Sequence, residues 1–296
     1  MSDPQLRTAV LPVAGLGTRF LPVTKAVPKE LLPIMDRPCI EYVVAEAVEA
    51  GFTDLVFVIS RGKDALVDYF DRSPALEASL DAAGKSELLA EVRRVARLAR
   101  VVAVRQQETL GLGHAVACAR PAVRAARFAV LLGDDIVDAR VPAIGQLAAA
   151  ADDRDGAVVA LMEVPRAETR NYGVCAGEMV APGRMQVSGM VEKPDPADAP
   201  SNFAIVGRYI LPSSIFDILA RTPRGRGGEI QLTDALAVLA AAGRVQGVVF
   251  DGERFDTGNP LGLLRASLLL GRQRPAFRAG IDALLDEALA RRARGA

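Results

Sequence analysis

Histidine is almost missing from this chain: His114 is the only one in 296 residues. No serine or cysteine stands at a recognisable spacing from it, so nucleophilic catalysis with a histidine base is not indicated, and His114 is read as structural. Cysteine is scarce as well. Cys39, Cys118 and Cys175 are too far apart for a disulfide framework or a zinc site and read as three reduced thiols. Neither sign of charge is in excess, with Lys+Arg and Asp+Glu at 36 each. Bulk attraction to nucleic acid or to an anionic membrane is therefore not expected. No stretch reaches the roughly 20 apolar residues that span a bilayer, and no long apolar segment precedes the first strand. The expectation is a cytoplasmic protein with no membrane partner. Two nucleotide motifs are missing too. The G-x-x-x-x-G-K-[ST] loop is absent, and Phe20 stands where the dinucleotide fingerprint needs its third glycine.

Half of the residues are hydrophobic and 24% are charged, an ordinary globular balance. Apolar runs at Thr8–Val13, Leu55–Ser60, Val101–Arg105 and Phe128–Leu132 read as buried strands. Between and after them lie helical patterns: Pro38 to Ala50, one long segment Ser73–Leu98, His114–Ala126 and Pro142–Ala151. In the long segment, Leu76, Leu80, Leu88, Leu89, Val92 and Val95 are expected to form an apolar face packed on the sheet. The alternation predicts an α/β fold: a Rossmann-like, doubly wound, mostly parallel but mixed sheet flanked by helices. Further strands follow at Ala157–Val164, Gly173–Val180, Met185–Val191, Phe203–Leu211 and Gln246–Phe250, with a helix at Thr233–Ala242. The expected organisation is one unit over about residues 1–275 and a helical extension over 276–296. Phe277, Ile281, Leu284, Leu285 and Ala288 should lie on one face of that last helix.

In such sheets ligands bind beyond the carboxyl ends of the strands, here the loops 14–25, 106–113 and 133–136. The first runs Ala14-Gly15-Leu16-Gly17-Thr18-Arg19 and on to Lys25, with Lys29 beyond it. Glycines admit close approach of backbone N–H groups, and the basic and hydroxyl side chains suit a triphosphate. Asp134 and Asp135 follow a strand directly and read two ways: as carboxylates for a hard cation such as Mg²⁺, or as a turn cap beside a solvated acid. Asp256 reads the same two ways, as a metal ligand or a helix cap. It could meet Asp134 only if their strands are neighbours. Lys193, before Pro194, is either a point charge for a phosphate or a surface lysine.

The stretches PVAGLGTRFLPVTKAVPKELLPI, VRQQETLGLGHAV, LLGDDIV, NYGV, GMVEKP, SNFAIVGRYIL, GGEIQLTDAL and FDTGNPLG occur in this order between about Thr8 and Leu289. Together they resemble the sugar nucleotidyltransferases, and among them the bacterial UTP–glucose-1-phosphate uridylyltransferases. The resemblance implies transfer of the uridylyl group of UTP to glucose 1-phosphate, giving UDP-glucose and pyrophosphate, with Mg²⁺ as cofactor. It implies a nucleotide-binding part over about residues 1–140 and a sugar-binding part over about 141–275. It assigns Ala14, Gly15, Leu16, Gly17, Thr18, Arg19 and Lys25 to the triphosphate, and Gln106 and Gly111 to the base. Asp134 and Asp256 would hold the metal. Asp135, Tyr172, Gly173, Glu192, Lys193, Val206 and Gly207 would face the sugar phosphate, with Arg19, Lys25 and Lys193 catalytic. A homo-dimer or homo-tetramer is implied as well. Two positions depart from the usual uridylyltransferase pattern: Gly133-Asp134-Asp135 replaces Pro-Asp-Val, and Pro260 stands where lysine is common. Thymidylyl transfer, or a catalytically silent sensor of nucleotide sugars, are the alternatives.

Overall fold

The computed structural model describes residues 6–151 and 155–294; the outermost ends of both expected parts therefore lie outside the described residues. The strands are β1 (Thr8–Pro12), β2 (Pro33–Ile34), β3 (Arg37–Pro38), β4 (Asp54–Ile59), β5 (Arg100–Arg105), β6 (Arg127–Leu131) and β7 (Asp135–Asp138). They continue as β8 (Ala157–Glu163), β9 (Gly173–Ala181), β10 (Arg184–Glu192), β11 (Phe203–Pro212), β12 (Val245–Val249) and β13 (Glu253–Asp256). The helices are α1 (Cys39–Glu49), α2 (Ala65–Asp68), α3 (Pro74–Ala82), α4 (Ser86–Val95) and α5 (Leu112–Cys118). After them come α6 (Ala143–Ala150), α7 (Ile215–Leu219), α8 (Leu232–Ala241), α9 (Pro260–Gln273) and α10 (Pro275–Ala293).

Among the described residues nine strands form one mixed sheet in the order β5-β4-β1-β6-β11-β8-β12-β10-β9. Its first four strands are parallel, and β11 runs antiparallel to both β6 and β8. The apolar runs explain the centre of the sheet. Alternate residues of a strand face opposite sides, and both sides of β1 are covered. Ala9 and Leu11 join a core with α1, α6 and α9, whereas Val10 joins a second core with α5, α7 and α8. Because β1, β5 and β6 share one direction, their carboxyl ends bring the three expected loops to one edge. A small ladder beside the main sheet pairs β7 with β13.

Three expectations change. The segment 73–98 is two helices, broken at Gly84, which adopts a left-handed φ of +66° that few other residues tolerate. Of its expected apolar face only Leu89 and Val95 are buried, while Leu76 and Leu88 are exposed. The buried Glu77 instead receives Arg72 and Arg93, so charge pairing does much of the joining there. The helix expected over 114–126 ends at Cys118. Pro121 lacks an N–H and disfavours helical backbone at Arg120. In α10 only Ile281 of the expected stripe is buried, against Gly271 and Met35, and Leu284 stays exposed.

Candidate active site

The loop after β1 is braced from below. The buried Lys63 ammonium donates to the Val13 carbonyl at 2.6 Å and to Glu30 Oε2 at 2.8 Å. Burial pushes the Glu30 carboxyl up, against the pull of Lys63 and Lys29. Gly17 has φ +65°, and a Cβ there would lie 3.1 Å from Thr24 Cγ2 and 3.2 Å from Lys29 Cβ. Only glycine fits this turn without displacing its neighbours. Thr24 Oγ1 donates to the Gly17 carbonyl at 2.8 Å and closes the loop on itself.

Beyond the loop lies a cleft of about 370 Å³, lined by Ala14, Gly15, Leu16, Gly17, Thr18, Gln106 and Gly111, among others. The Gln106 side chain is buried. Its amide nitrogen donates to the Gly111 carbonyl at 3.2 Å and meets His114 Nδ1 at 3.0 Å. The segment carrying Glu229 and Ile230 seals this wall. Ile230 N–H donates to the Leu110 carbonyl at 2.7 Å, and Gly113 N–H donates to the Ile230 carbonyl at 2.9 Å. A Cβ on Gly111 would come 2.7 Å from Glu229 Cβ, so glycine is required by space as well as by its φ of +96°.

The acids converge through the small ladder. In the β7–β13 register Asp135 lies opposite Asp256. Thr257 then donates to the Asp134 carbonyl from both its N–H and its hydroxyl, each at 2.9 Å. The carboxylates close around one point. A Cβ on Gly258 would sit 2.7 Å from Asp134 Oδ2 and 3.0 Å from Asp256 Oδ1. The Lys29 ammonium rests on Asp134 Oδ2. Burial acts to raise the Asp134 carboxyl, but Lys29, a backbone hydrogen bond and Arg19 together hold it below the usual carboxylate range. Reciprocally, burial pulls Lys29 down, but Asp134 and Glu30 together hold it above the usual ammonium range. No cluster of three or more His, Cys, Asp or Glu able to hold a metal occurs among the described residues. Two carboxylates are nonetheless a fitting donor set for Mg²⁺, which takes one or two and completes its shell with water and phosphate oxygens. A cationic side chain already seated on one of them marks the point as one where positive charge is stabilised.

Asp135 is buried and not the solvated acid of the alternative reading. Arg254 Nε donates to its Oδ1 at 2.5 Å, and the Gly207 N–H donates to its Oδ2 at 3.1 Å. Burial pushes the Asp135 carboxyl up, and Arg254 and Arg208 oppose this. Behind it, the fully buried Arg208 donates to the Asp135 carbonyl at 2.6 Å and forks onto Glu46 of α1.

A second cleft of about 700 Å³ opens here and contains Arg19, Asp134, Asp135, Tyr172, Gly173, Glu192, Lys193, Gly207, Arg254 and Asp256. Thr233 Oγ1 donates to Glu192 Oε2 at 2.7 Å, and Arg254 Nη1 donates to the Tyr172 hydroxyl at 3.1 Å. Lys193 has φ 48°, rare for a residue with a side chain, and the Tyr172 carbonyl accepts its N–H at 2.9 Å. Such strain, of order 1 kcal/mol, persists only where the surroundings impose it and is common at ligand sites. Leu112 and Glu229 line both clefts, which makes them continuous.

The structure thus gathers nearly all of the expected residues at one sheet edge, with two exceptions. Val206 turns its side chain into the α1 core, because alternation along β11 directs Ile205, Gly207 and Tyr209 to the cleft instead. Lys25 is exposed and lines neither cleft; Lys29, four residues on, is the lysine that meets Asp134. Arg254 and Glu229 were not read from the sequence. A signal existed for Arg254: it precedes Asp256 by two residues on one strand, so both share a face. No pattern in the sequence announces the strain at Lys193.

A two-part cleft with a glycine-rich loop in one part, and two converging carboxylates and a strained lysine in the other, is built for joining two phosphorylated molecules. Residues 8–273 match the nucleotidyl transferase family, and the chain belongs to that family. It is 46% identical over 269 residues to the UTP–glucose-1-phosphate uridylyltransferase of Bacillus subtilis (strain 168), across 91% of this chain and 92% of that one. A UTP-bound UGPase from Acinetobacter baumannii superposes with a TM-score of 0.88 at 40% identity, covering 95% of this chain and 99% of that one. A UDP-glucose pyrophosphorylase complexed with UDP-glucose gives a TM-score of 0.82 at 39% identity, covering 91% and 100%.

Proposed function

We propose that this chain transfers the uridylyl group of UTP to glucose 1-phosphate, releasing UDP-glucose and pyrophosphate. The observation that carries the reading is the β7–β13 pairing, which brings Asp134 and Asp256 around one point in the second cleft. The nucleophile is a phosphate oxygen, already ionised near neutral pH because the second phosphate pKa is about 6. No general base is needed, in keeping with a chain whose only histidine stands behind the base-side wall. The work left to the protein is alignment and charge stabilisation.

Asp134 and Asp256 would hold Mg²⁺, which when bound supplies positive charge that screens the phosphates from each other. Gly15, Gly17 and Thr18 would cradle the triphosphate through N–H and hydroxyl donors. Arg19, beside both Gly258 and the acids, would stabilise the charge that develops on the α-phosphate. Lys25, exposed at the end of the glycine-rich loop, would reach the departing pyrophosphate. Gln106 and Gly111 would read the base. Tyr172, Gly173, Glu192 and Gly207 would hold the glucose, Asp135 would fix Gly207 and Arg254 beneath it, and Lys193 would orient the attacking phosphate. A homo-dimer or homo-tetramer belongs to the same proposal; the exposed Leu284 and Leu289 of α10 favour self-association, and light scattering tests it.

The test is Mg²⁺-dependent pyrophosphate release with glucose 1-phosphate, comparing UTP, dTTP, CTP, ATP and GTP in parallel. Preference for UTP is expected. Preference for dTTP would move the chain to thymidylyl transfer, and no release with any nucleotide would overturn the reading.

A further inference from the structure

Behind Gln106, on the wall that would read the base, stand two further polar side chains that the mechanism does not use, His114 and Cys118. Gln106 Nε2 lies 3.2 Å from the Gly111 carbonyl and 3.0 Å from His114 Nδ1, and His114 Nε2 lies 3.8 Å from Cys118 Sγ. Their hydrogen bonding has one consistent solution. A carbonyl oxygen can only accept, so the amide edge facing Gly111 is the NH₂ group. His114 Nδ1 must then accept as well. Its ring proton therefore sits on Nε2, directed at the weakly accepting thiol of Cys118. That leaves Gln106 Oε1 on the other edge of the amide, and no hydrogen bond among the described residues reaches it. Neither does any among them take up the Gly111 N–H.

The cleft therefore presents an acceptor, Gln106 Oε1, next to a donor, Gly111 N–H. This pair complements the imide edge of uracil or thymine, an N–H beside a C=O. Cytosine offers the reverse: a ring nitrogen without a proton beside an amino group. A flipped Gln106 amide would set its NH₂ against the imide N–H and remove the match to uracil or thymine. Resting on the uridylyl-transfer reading, we infer that His114 is a positioning residue for base selection: as the neutral Nε2–H tautomer it locks the Gln106 amide with its oxygen toward the nucleotide.

The test uses the full-length protein and exploits its single histidine. With ¹⁵N-histidine, long-range proton–nitrogen spectra should show an unprotonated Nδ1 and a protonated Nε2 at neutral pH. The ratio of kcat/KM for UTP over CTP is then compared in His114→Leu, which removes the acceptor, and His114→Asn, which can offer an oxygen in its place. His114→Leu should lower the ratio about tenfold, the scale of one hydrogen bond in a buried site, through KM for UTP more than through kcat. His114→Asn should restore most of it. A general loosening of the fold would lower both nucleotides together and leave the ratio unmoved. An Nδ1–H tautomer, or an unchanged ratio in His114→Leu, would overturn the inference. If the wild-type protein released no pyrophosphate from UTP, the proposed function would fall separately. The tautomer, and UTP against CTP binding measured by calorimetry in the same variants, would still decide the role of His114.

Discussion

Removing the carboxylate of Glu46 should destabilise this protein more than any single change at the rim of the clefts. Arg208 is fully buried, and its guanidinium bonds Glu46 at 2.9, 3.1 and 2.6 Å. In Glu46→Leu that charge loses its counter-charge, at a cost of about 3–5 kcal/mol. The Ile144 N–H, which donates to Glu46 Oε1 at 3.1 Å, loses its acceptor too and adds to the loss in the same direction. At about 2–4 °C per kcal/mol for chains near this size, the melting temperature should fall by about 10 °C. Adding Arg208→Met removes the stranded charge and should return part of that loss. Recovery stays incomplete because the Asp135 carbonyl loses the Arg208 donor, about 1–3 kcal/mol, whereas the Gly207 carbonyl loses Arg208 but keeps the Leu132 N–H at 2.9 Å. Pyrophosphate release should not recover. The tether from Arg208 to Asp135 sets the height of the turn that carries both acids, and a misplacement of about 1 Å near reacting groups can lower turnover about 100-fold. Thermal melts and pyrophosphate release on the two variants decide the matter. A Glu46→Leu protein melting within about 2 °C of wild type, or a double variant melting below it, would refute the reasoning.

Further outcomes follow from the same geometry. Asp256→Asn should cut turnover by at least about 100-fold with little change in melting, since it removes one of two converging carboxylates from a solvent-reachable point; retained activity at ordinary Mg²⁺ would remove Asp256 from the metal site. Lys193→Gly should raise stability by about 1 kcal/mol, because glycine accepts φ 48° without strain, while raising KM for glucose 1-phosphate. Lower stability would mean that the lysine's packing outweighs the strain. Cys39 and Cys175 are buried, and burial pushes each thiol up to about 12, so both should resist iodoacetamide at pH 8 in the folded protein and react once it is unfolded. Mass spectrometry of the alkylated peptides reads this directly.

Much of the scaffold was legible in the chain itself. The apolar runs that became β1, β4 and β6, the glycine-rich turn after β1 and the acids after β6 are local features. Periodicity and composition over a few residues dictate them, because backbone conformation and burial are decided largely by near neighbours in sequence. Helix ends were legible where proline or glycine sets them, and they were misjudged at Pro121 and Gly84, where the apolar pattern ran on past the breaker. What only the tertiary structure decided is which distant groups meet. Asp134 meets Asp256 because β7 pairs with β13 in one register out of several, and a slip of one residue would turn every side chain of that ladder to its other face. The same kind of long-range choice seats Lys29, not Lys25, on Asp134. It also points Ile205 rather than Val206 into the cleft, buries Arg208 against Glu46, and stands His114 behind Gln106. Sequence spacing carries the period of a strand or helix but not the identity of the element packed against it, and electrostatic and hydrogen-bonding partners are chosen at that second level.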